Sequence, residues 1–513
     1  MIDLAIRGGT VLDGLGSQPV LGDIAVAQHR LTEPPALLGT RSLDASGCWV
    51  LPGFVDLHSH ADLAVITGTG MRERHAAGIT TEVVGQDGLG FVPGSAQTLE
   101  LVRELMRAVA GDPPREQWAS TRQYLEVLGR SAVSHVATLA SHGTARIEIA
   151  GLANRPLTQS ELRELASLSE RAVREGAVGL STGLSYPPAR NSDATEVIAA
   201  YGPFASRGLP YVTHLRDYGP GLDAALDEAI QIASGPAGGA LHLSHFHVSG
   251  PGRDGTAAAY LDRLDHVGAD LPITWDSYPY TAACTFLVSF LPDWLLEQPA
   301  SERPLLLRVR APEIAADLDQ RGPGATVAVG WDGFILAGTQ DPDLDGRRLV
   351  DAANDRGHTP GEMVVELCRD AAPAVLIEQG HLANVRLIAA DPRHRGGSDG
   401  LMGSGIPHPR ATGTFLRWLR WARDGMVDVS VAEMVQHLTS ASADTAHLFD
   451  VGRLVPGALA DIVVVDPSRL ADGPDHHLAI PDAVRHLVIG GRPVIVDGEH
   501  QGLEPVGRAL RWS

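Results

Sequence analysis

Three observations predict the fold class. Strand-like apolar runs alternate with helical stretches through the middle of the chain, short Gly-punctuated strands occur at both ends, and one long interval fits neither pattern. Together they predict an α/β protein: a (β/α)8 TIM-like barrel, a small β-sandwich domain from both termini, and an inserted subdomain. The 513 residues suffice for a large barrel with an accessory domain.

Residues 1–50 read as short strands broken by turns: "LAIRGGTVLDG", "GDIAVAQHRL", "RSLDASGCWVLPG". The same style returns over 452–513 in "GRLVPGALADIVVVDP" and "VRHLVIGGRPVIVDGE". One β domain built from both ends is the simplest arrangement, because termini commonly lie close together. Between them, over 51–451, apolar runs end at His60, Asp87, His142, Tyr186, His214, His245, Tyr278 and Asp399. Helical text such as "SELRELASLSERAVREG" and "GLDAALDEAIQIAS" separates them. Eight such units imply a closed barrel, although the eighth run, "RHRGGSDG", is polar. The interval from Tyr280 to Asp399 is too long for one loop and contains helical text, "GEMVVELCRDAA". It places the insertion at about 300–390.

Composition narrows the partners. Hydrophobic residues make up 44% and charged residues 20%, as in ordinary globular proteins. The formal net charge is −21, with no compensating basic run. That argues against nucleic acid and anionic membranes as partners and leaves a small-molecule substrate. All 41 basic residues are arginine, so neither a carbamylated lysine bridge nor a Schiff-base lysine can exist here. Cys48, Cys284 and Cys368 are scattered, which excludes a cysteine-built zinc site and suits a reducing compartment. The start lacks a signal-peptide pattern, and no apolar run reaches the ~18 residues a membrane span needs. A cytoplasmic protein is the expectation; the oligomeric state stays open.

The polar residues that close the apolar runs form the candidate site. "LPGFVDLHSH" ends in His58 and His60, which share a face if the segment is extended. "TTEVVGQDG" supplies Asp87, "LPYVTHLRD" His214, "GALHLSHFHV" His245 with His247 on the same face, and "GGSDG" Asp399. In a (β/α)8 barrel, catalytic groups sit at the C-terminal ends of strands. Several imidazoles with a carboxylate suit zinc, with one position left for water and a nearby carboxylate to take its proton. Taken singly, each residue has a plain structural reading. Asp87 in "QDG" could mark a turn, His247 could be a packed histidine, Tyr186 and Tyr278 could pack at the barrel mouth, and Cys284 could be a small buried hydrophobe. His142 is expected to shape the mouth rather than bind metal.

The segments "VLPGFVDLHSHADL", "GITTEVVGQDG", "SHGTAR", "EGAVGLSTGLSYPP", "YVTHLRD", "LSHFH", "DSYPYTA", "GGSDG" and "PHPRATGTF" span most of the chain. As a set they resemble the amidohydrolase superfamily and, within it, the N-acyl-D-amino-acid deacylases. The resemblance implies zinc, one or two ions, and hydrolysis of an amide on a D-amino acid. It implies that His58 and His60 serve a second or weaker metal position, that His214 and His245 ligate, and that Asp399 acts as base and then acid. It gives Tyr186 and Arg410 the substrate's carboxylate or carbonyl, a role that suits a planar, bidentate guanidinium.

Three positions depart from the family pattern. Asp87 stands where better-known members have a metal-binding cysteine; a carboxylate is a harder ligand and can bridge two metals. His247 stands where a lysine usually helps to hold the carboxylate; a histidine is charged mainly below its reference pKa of about 6.5, so in that role it would be a conditional anchor. Cys284 stands where a serine usually lines that pocket, beside Tyr278. A cyclic-amide hydrolase of the hydantoinase or dihydroorotase kind is the alternative, opposed by the missing lysine. A non-catalytic scaffold is the third reading, opposed by the full set of histidines.

Overall fold

The computed structural model describes residues 3–33, 41–111, 114–298, 302–324, 327–402, 408–471 and 482–512. Eight parallel strands close into a barrel. The first, Phe54–Asp56, pairs with Ile79–Val84, which pairs with His135–Thr138. The third strand continues as Ala140–Ser141, where it takes up the fourth strand, Leu180–Gly183. Tyr211–His214, Leu241–Leu243, Ile273–Ser277 and His394–Gly396 follow in order. The ring is completed when Leu57 N donates to Gly396 O at 2.9 Å and Asp399 N donates to His58 O at 2.9 Å.

The strands of a parallel barrel are buried on both faces, so most of these residues are apolar, and the polar ones among them, such as Thr80, Thr81 and Glu82, are buried as well. All six residues of Ile79–Val84 are buried. The polar eighth strand forms all the same, since its pairing is a backbone matter: Trp275 is opposite His394 and Ser277 opposite Gly396. Helix starts are encoded locally. Thr158 and Glu161 form a capping box at Gln159–Arg174, and Thr359 and Glu362 form another at Pro360–Cys368.

Strands from both termini share one nine-stranded sheet. Its seam is Trp49–Pro52 paired antiparallel with Ile462–Val465, so the chain passes through Gly53 straight into the first barrel strand. Between the seventh and eighth barrel strands, Ala282–Phe286, Ala374–Glu378 and Phe334–Ala337 make a small antiparallel sheet. Beta structure in this interval therefore starts at Ala282, ahead of the expected residue 300. The sheet packs with its own helices around Phe290, Leu318, Trp331 and Phe334. Among the described residues, no helix is long and apolar enough to cross a membrane.

Candidate metal and active site

The loops at the C-terminal ends of the strands bring the sequence candidates together. His58 and His60 lie just beyond the first strand, both buried, with ring centroids 5.5 Å apart. Three other members hold backbone conformations that side chains rarely adopt: Asp87 at φ 54°, His245 at φ 33° and Asp399 at φ 49°. Such conformations cost of order 1–3 kcal/mol each and cluster where a side chain must be aimed. Two glycines make room for the cluster. A Cβ on Gly183 would lie 2.3 Å from the Asp87 carbonyl, and one on Gly397 would lie 2.5 Å from the Asp276 carboxylate.

Asp87 is the hub. Its carboxylate lies 3.7 Å from His58 Nε2, 3.5 Å from His60 Nε2, 3.8 Å from His214 Nδ1 and 4.0 Å from His245 Nε2. Asp399 completes the first group, 3.7 Å from His58 Nε2 and 3.3 Å from His60 Nε2. Two ligand sets result, His58–His60–Asp87–Asp399 and Asp87–His214–His245, with donor atoms in each within 4.8 Å of one another. Asp87 belongs to both.

The cluster has the chemistry of a cation site. His58 Nε2 and Asp87 Oδ1 are buried and have no hydrogen-bond partner. His214 Nδ1 and His245 Nε2 face each other at 2.9 Å, so two ring nitrogens compete for one proton. Burial pulls the His58 and His60 imidazoles down, yet the facing carboxylates outweigh it. Asp276 and Asp87 raise His58 to about 9, and Asp399 and Asp87 raise His60 to about 10. The negative field that draws protons here would equally hold a divalent ion in their place. The second pair is the reverse: burial pushes His214 down and His245 down to about 3, leaving neutral imidazoles suited to ligation.

Behind the ligands stand residues that the sequence reading passed over. Asp276, fully buried at the end of the seventh strand, lies 3.3 Å from His58 Nδ1 and 3.0 Å from His242 Nε2, and it accepts the His245 backbone N–H at 2.9 Å. A carboxylate behind a ligating histidine fixes its tautomer and orientation. The signal was present, since "LPITWD" ends in this acid two residues before Tyr278. A second support is Arg74, fully buried between Asp56 and Glu82. Asp56 in turn accepts from the backbone N–H groups of His58 at 3.2 Å and Ser398 at 2.9 Å. It thereby ties the HxH segment to the Asp399 turn.

The remaining candidates line one cavity of about 270 Å3 that includes His60, Asp87, His214, His245 and Asp399. Arg410 reaches Asp399 Oδ2 at 2.9 Å, donates to the Cys284 carbonyl at 3.1 Å and lies 4.9 Å over the Tyr278 ring. Burial pushes the Cys284 thiol up to about 11, so it contributes a wall and a backbone carbonyl rather than a nucleophile. Tyr186 sits 4.7 Å from the His214 ring; burial and the carboxylates of Asp87 and Asp399 keep its phenol protonated. His247, the conditional anchor, is packed among its neighbours. It stacks on Tyr218 at 4.4 Å, and its Nδ1–H donates to the His245 carbonyl at 2.8 Å. Burial lowers it to about 4, so it presents a neutral ring with Nε2 as an acceptor. His142 lies outside both ligand sets and pairs with Glu196 at 3.1 Å.

Known proteins fit this geometry. The sequence matches the amidohydrolase family over residues 41–283 and 362–495. The chain belongs to that family. It is 30% identical over 517 residues to a D-aminoacylase of Alcaligenes xylosoxydans xylosoxydans, covering 98% of this chain and 96% of the relative. The structure superposes on a D-aminoacylase described as having a binuclear metal centre, with a TM-score of 0.81, 26% identity and full coverage of both chains. It matches equally an N-acyl-D-glutamate deacylase from Bordetella bronchiseptica in complex with zinc and a phosphonate that mimics the tetrahedral intermediate, with a TM-score of 0.81, 26% identity and full coverage. Family and fold thus make this amidohydrolase an enzyme class that acts on amide bonds.

Proposed function

We propose that this amidohydrolase cleaves the amide of an N-acyl-D-amino acid with the help of one or two zinc ions. The observation that carries the reading is the position of Asp87, shared by two histidine-containing ligand sets and lining a single cavity with members of both. His58 and His60 would hold one ion, His214 and His245 the other, and Asp87 would touch both. When bound, zinc supplies Lewis acidity, polarising a carbonyl and bringing water towards a pKa near ~7.

The protein's own groups do the rest. Asp399 takes the proton from the attacking water and returns it to the nitrogen of the departing amine. It is held ionised because Arg410 and the neighbouring imidazoles outweigh the effect of burial. Arg410 also faces the cavity, where its guanidinium can pair with the substrate's carboxylate. The protonated Tyr186 can donate to the carbonyl oxygen as charge develops there. A cyclic-amide hydrolase is disfavoured because the chain has no lysine to bridge two metals.

Hydrolysis of matched N-acetyl-D- and N-acetyl-L-amino acids, with dihydropyrimidines as controls, tests this reading. Turnover of the D series alone is expected. Turnover of the cyclic amides in preference to every N-acyl-amino acid would replace it.

A further inference from the structure

We propose that this deacylase accepts an N-acyl group several carbons longer than acetyl, held in an apolar arm formed by Leu89, Leu105, Met106 and Leu152. The inference rests on the amide-hydrolase reading above and specifies the substrate class of the same site. All four residues line the cavity that contains the metal cluster. Leu89 follows Asp87 by two residues, Leu105 and Met106 lie on the helix Ala96–Ala110, and Leu152 follows the helix His142–Ala150. Leu89, Leu105 and Leu152 are only half-buried, so they leave apolar surface facing the cavity for a ligand to cover.

The geometry of an amide decides which part of the substrate reaches them. A secondary amide is planar and trans, so the acyl chain and the Cα leave the C–N bond on opposite sides. The Cα carries the carboxylate, which is assigned to Arg410 beside Tyr278, on loops that follow the seventh and eighth strands. With the carbonyl over the cluster, the acyl chain points across the mouth, towards the loops after the second and third strands. Those loops supply the arm. The helix Ala96–Ala110 connects the two regions: Val109 near its end packs against the group containing Cys284 and Phe286. Leu105 and Met106, about one turn earlier, continue the apolar wall away from the anchor.

The four residues of the arm offer no cation to pair with an acidic acyl substituent. The two other guanidiniums that line the cavity are engaged. Arg303 donates to the carbonyls of Gln298 at 3.0 Å and Leu296 at 2.8 Å, and Arg190 is paired with Asp293.

The test is a series of N-acyl-D-alanines from acetyl to octanoyl, in which only the acyl chain grows. In the zinc-loaded wild type, kcat/KM should rise roughly two- to fourfold per methylene over the first few carbons, carried mainly by KM. In Leu105→Gln and Leu152→Gln, the octanoyl-to-acetyl ratio should fall at least about tenfold, while Leu105→Met keeps it. A flat or falling series in the wild type overturns the proposal. So does a gain that appears only when the amino-acid side chain is lengthened on an acetyl substrate. If no member is hydrolysed, the deacylase reading itself has failed. Calorimetric titration with octanoate and acetate then tests the arm separately: tighter octanoate binding that Leu105→Gln removes upholds it, and equal binding overturns it.

Discussion

The Asp276 carboxylate lies 3.3 Å from Nδ1 of His58, whose other nitrogen faces Asp87 and Asp399 at 3.7 Å. The imidazole is held between a buried acid behind it and the ligand cluster in front. Replacement of Asp276 by Asn keeps the shape but removes the charge that orients the ring. Asp276→Asn should bind zinc roughly 10- to 100-fold more weakly, measured by competition with a chelator, because such supports typically contribute that much. Unchanged affinity would show that His58 needs no orienting partner.

Asp399 is expected to move the proton without being needed for folding. Its carboxylate touches Arg410 at 2.9 Å and His60 at 3.3 Å. Asp399→Asn should retain zinc in the His214–His245 set and keep its melting temperature, yet lose about 10²–10⁴ in kcat. A value within a few-fold of wild type would remove Asp399 from the chemistry.

Arg410 has two tasks, which separate by substrate. It pairs with Asp399 and faces the cavity. Arg410→Met should therefore lower kcat for every substrate. It should raise KM only where a carboxylate is present, by an amount comparable to a lost charge-assisted hydrogen bond, about 1.5–3 kcal/mol or roughly 10- to 100-fold. An uncharged N-acyl amine whose KM rises equally would show that Arg410 supports structure alone.

Glu196 predicts how the fold responds to acid. It is buried, accepts from His142 at 3.1 Å, and pairs with Arg146 and Ser192. Burial raises its carboxyl, but these partners prevail and hold it at about 2, below the ordinary 4.5. A depressed folded-state pKa stabilises above the unfolded value and is lost as pH falls through the folded one. The contribution should be complete above pH 4.5 and fade towards pH 2. Glu196→Gln should lose about 3–5 kcal/mol at neutral pH, since it leaves Arg146 buried without its counter-charge. Denaturant titrations of both proteins across this range should converge at its acid end; a constant gap would contradict the assignment.

Much of this was legible because it is local. Apolar runs that close on His60, Asp87, His214 and His245 mark strand ends, and capping boxes at Thr158 and Thr359 mark helix starts. What escaped was non-local. Nothing in "MRERHAAG" singles out Arg74, and only the fold places it between Asp56 and Glu82. His247 has the same spacing from His245 as His60 has from His58. Spacing alone cannot show that Tyr218 stacks on it and that the His245 carbonyl accepts a hydrogen bond from its Nδ1–H. Ala282–Phe286 lacks a strong strand pattern and is held extended by its pairing with Ala374–Glu378, nearly a hundred residues away.

The most direct measurement removes the metal. The protein should be stripped with a chelator and re-loaded with zinc, and hydrolysis of an N-acyl-D-amino acid followed alongside bound metal, in wild type and in Asp87→Asn. The account predicts that the stripped wild type is inactive, that zinc restores it, and that Asp87→Asn binds less zinc and recovers little. Full activity in the metal-free wild type, or normal zinc content and turnover in Asp87→Asn, would contradict it.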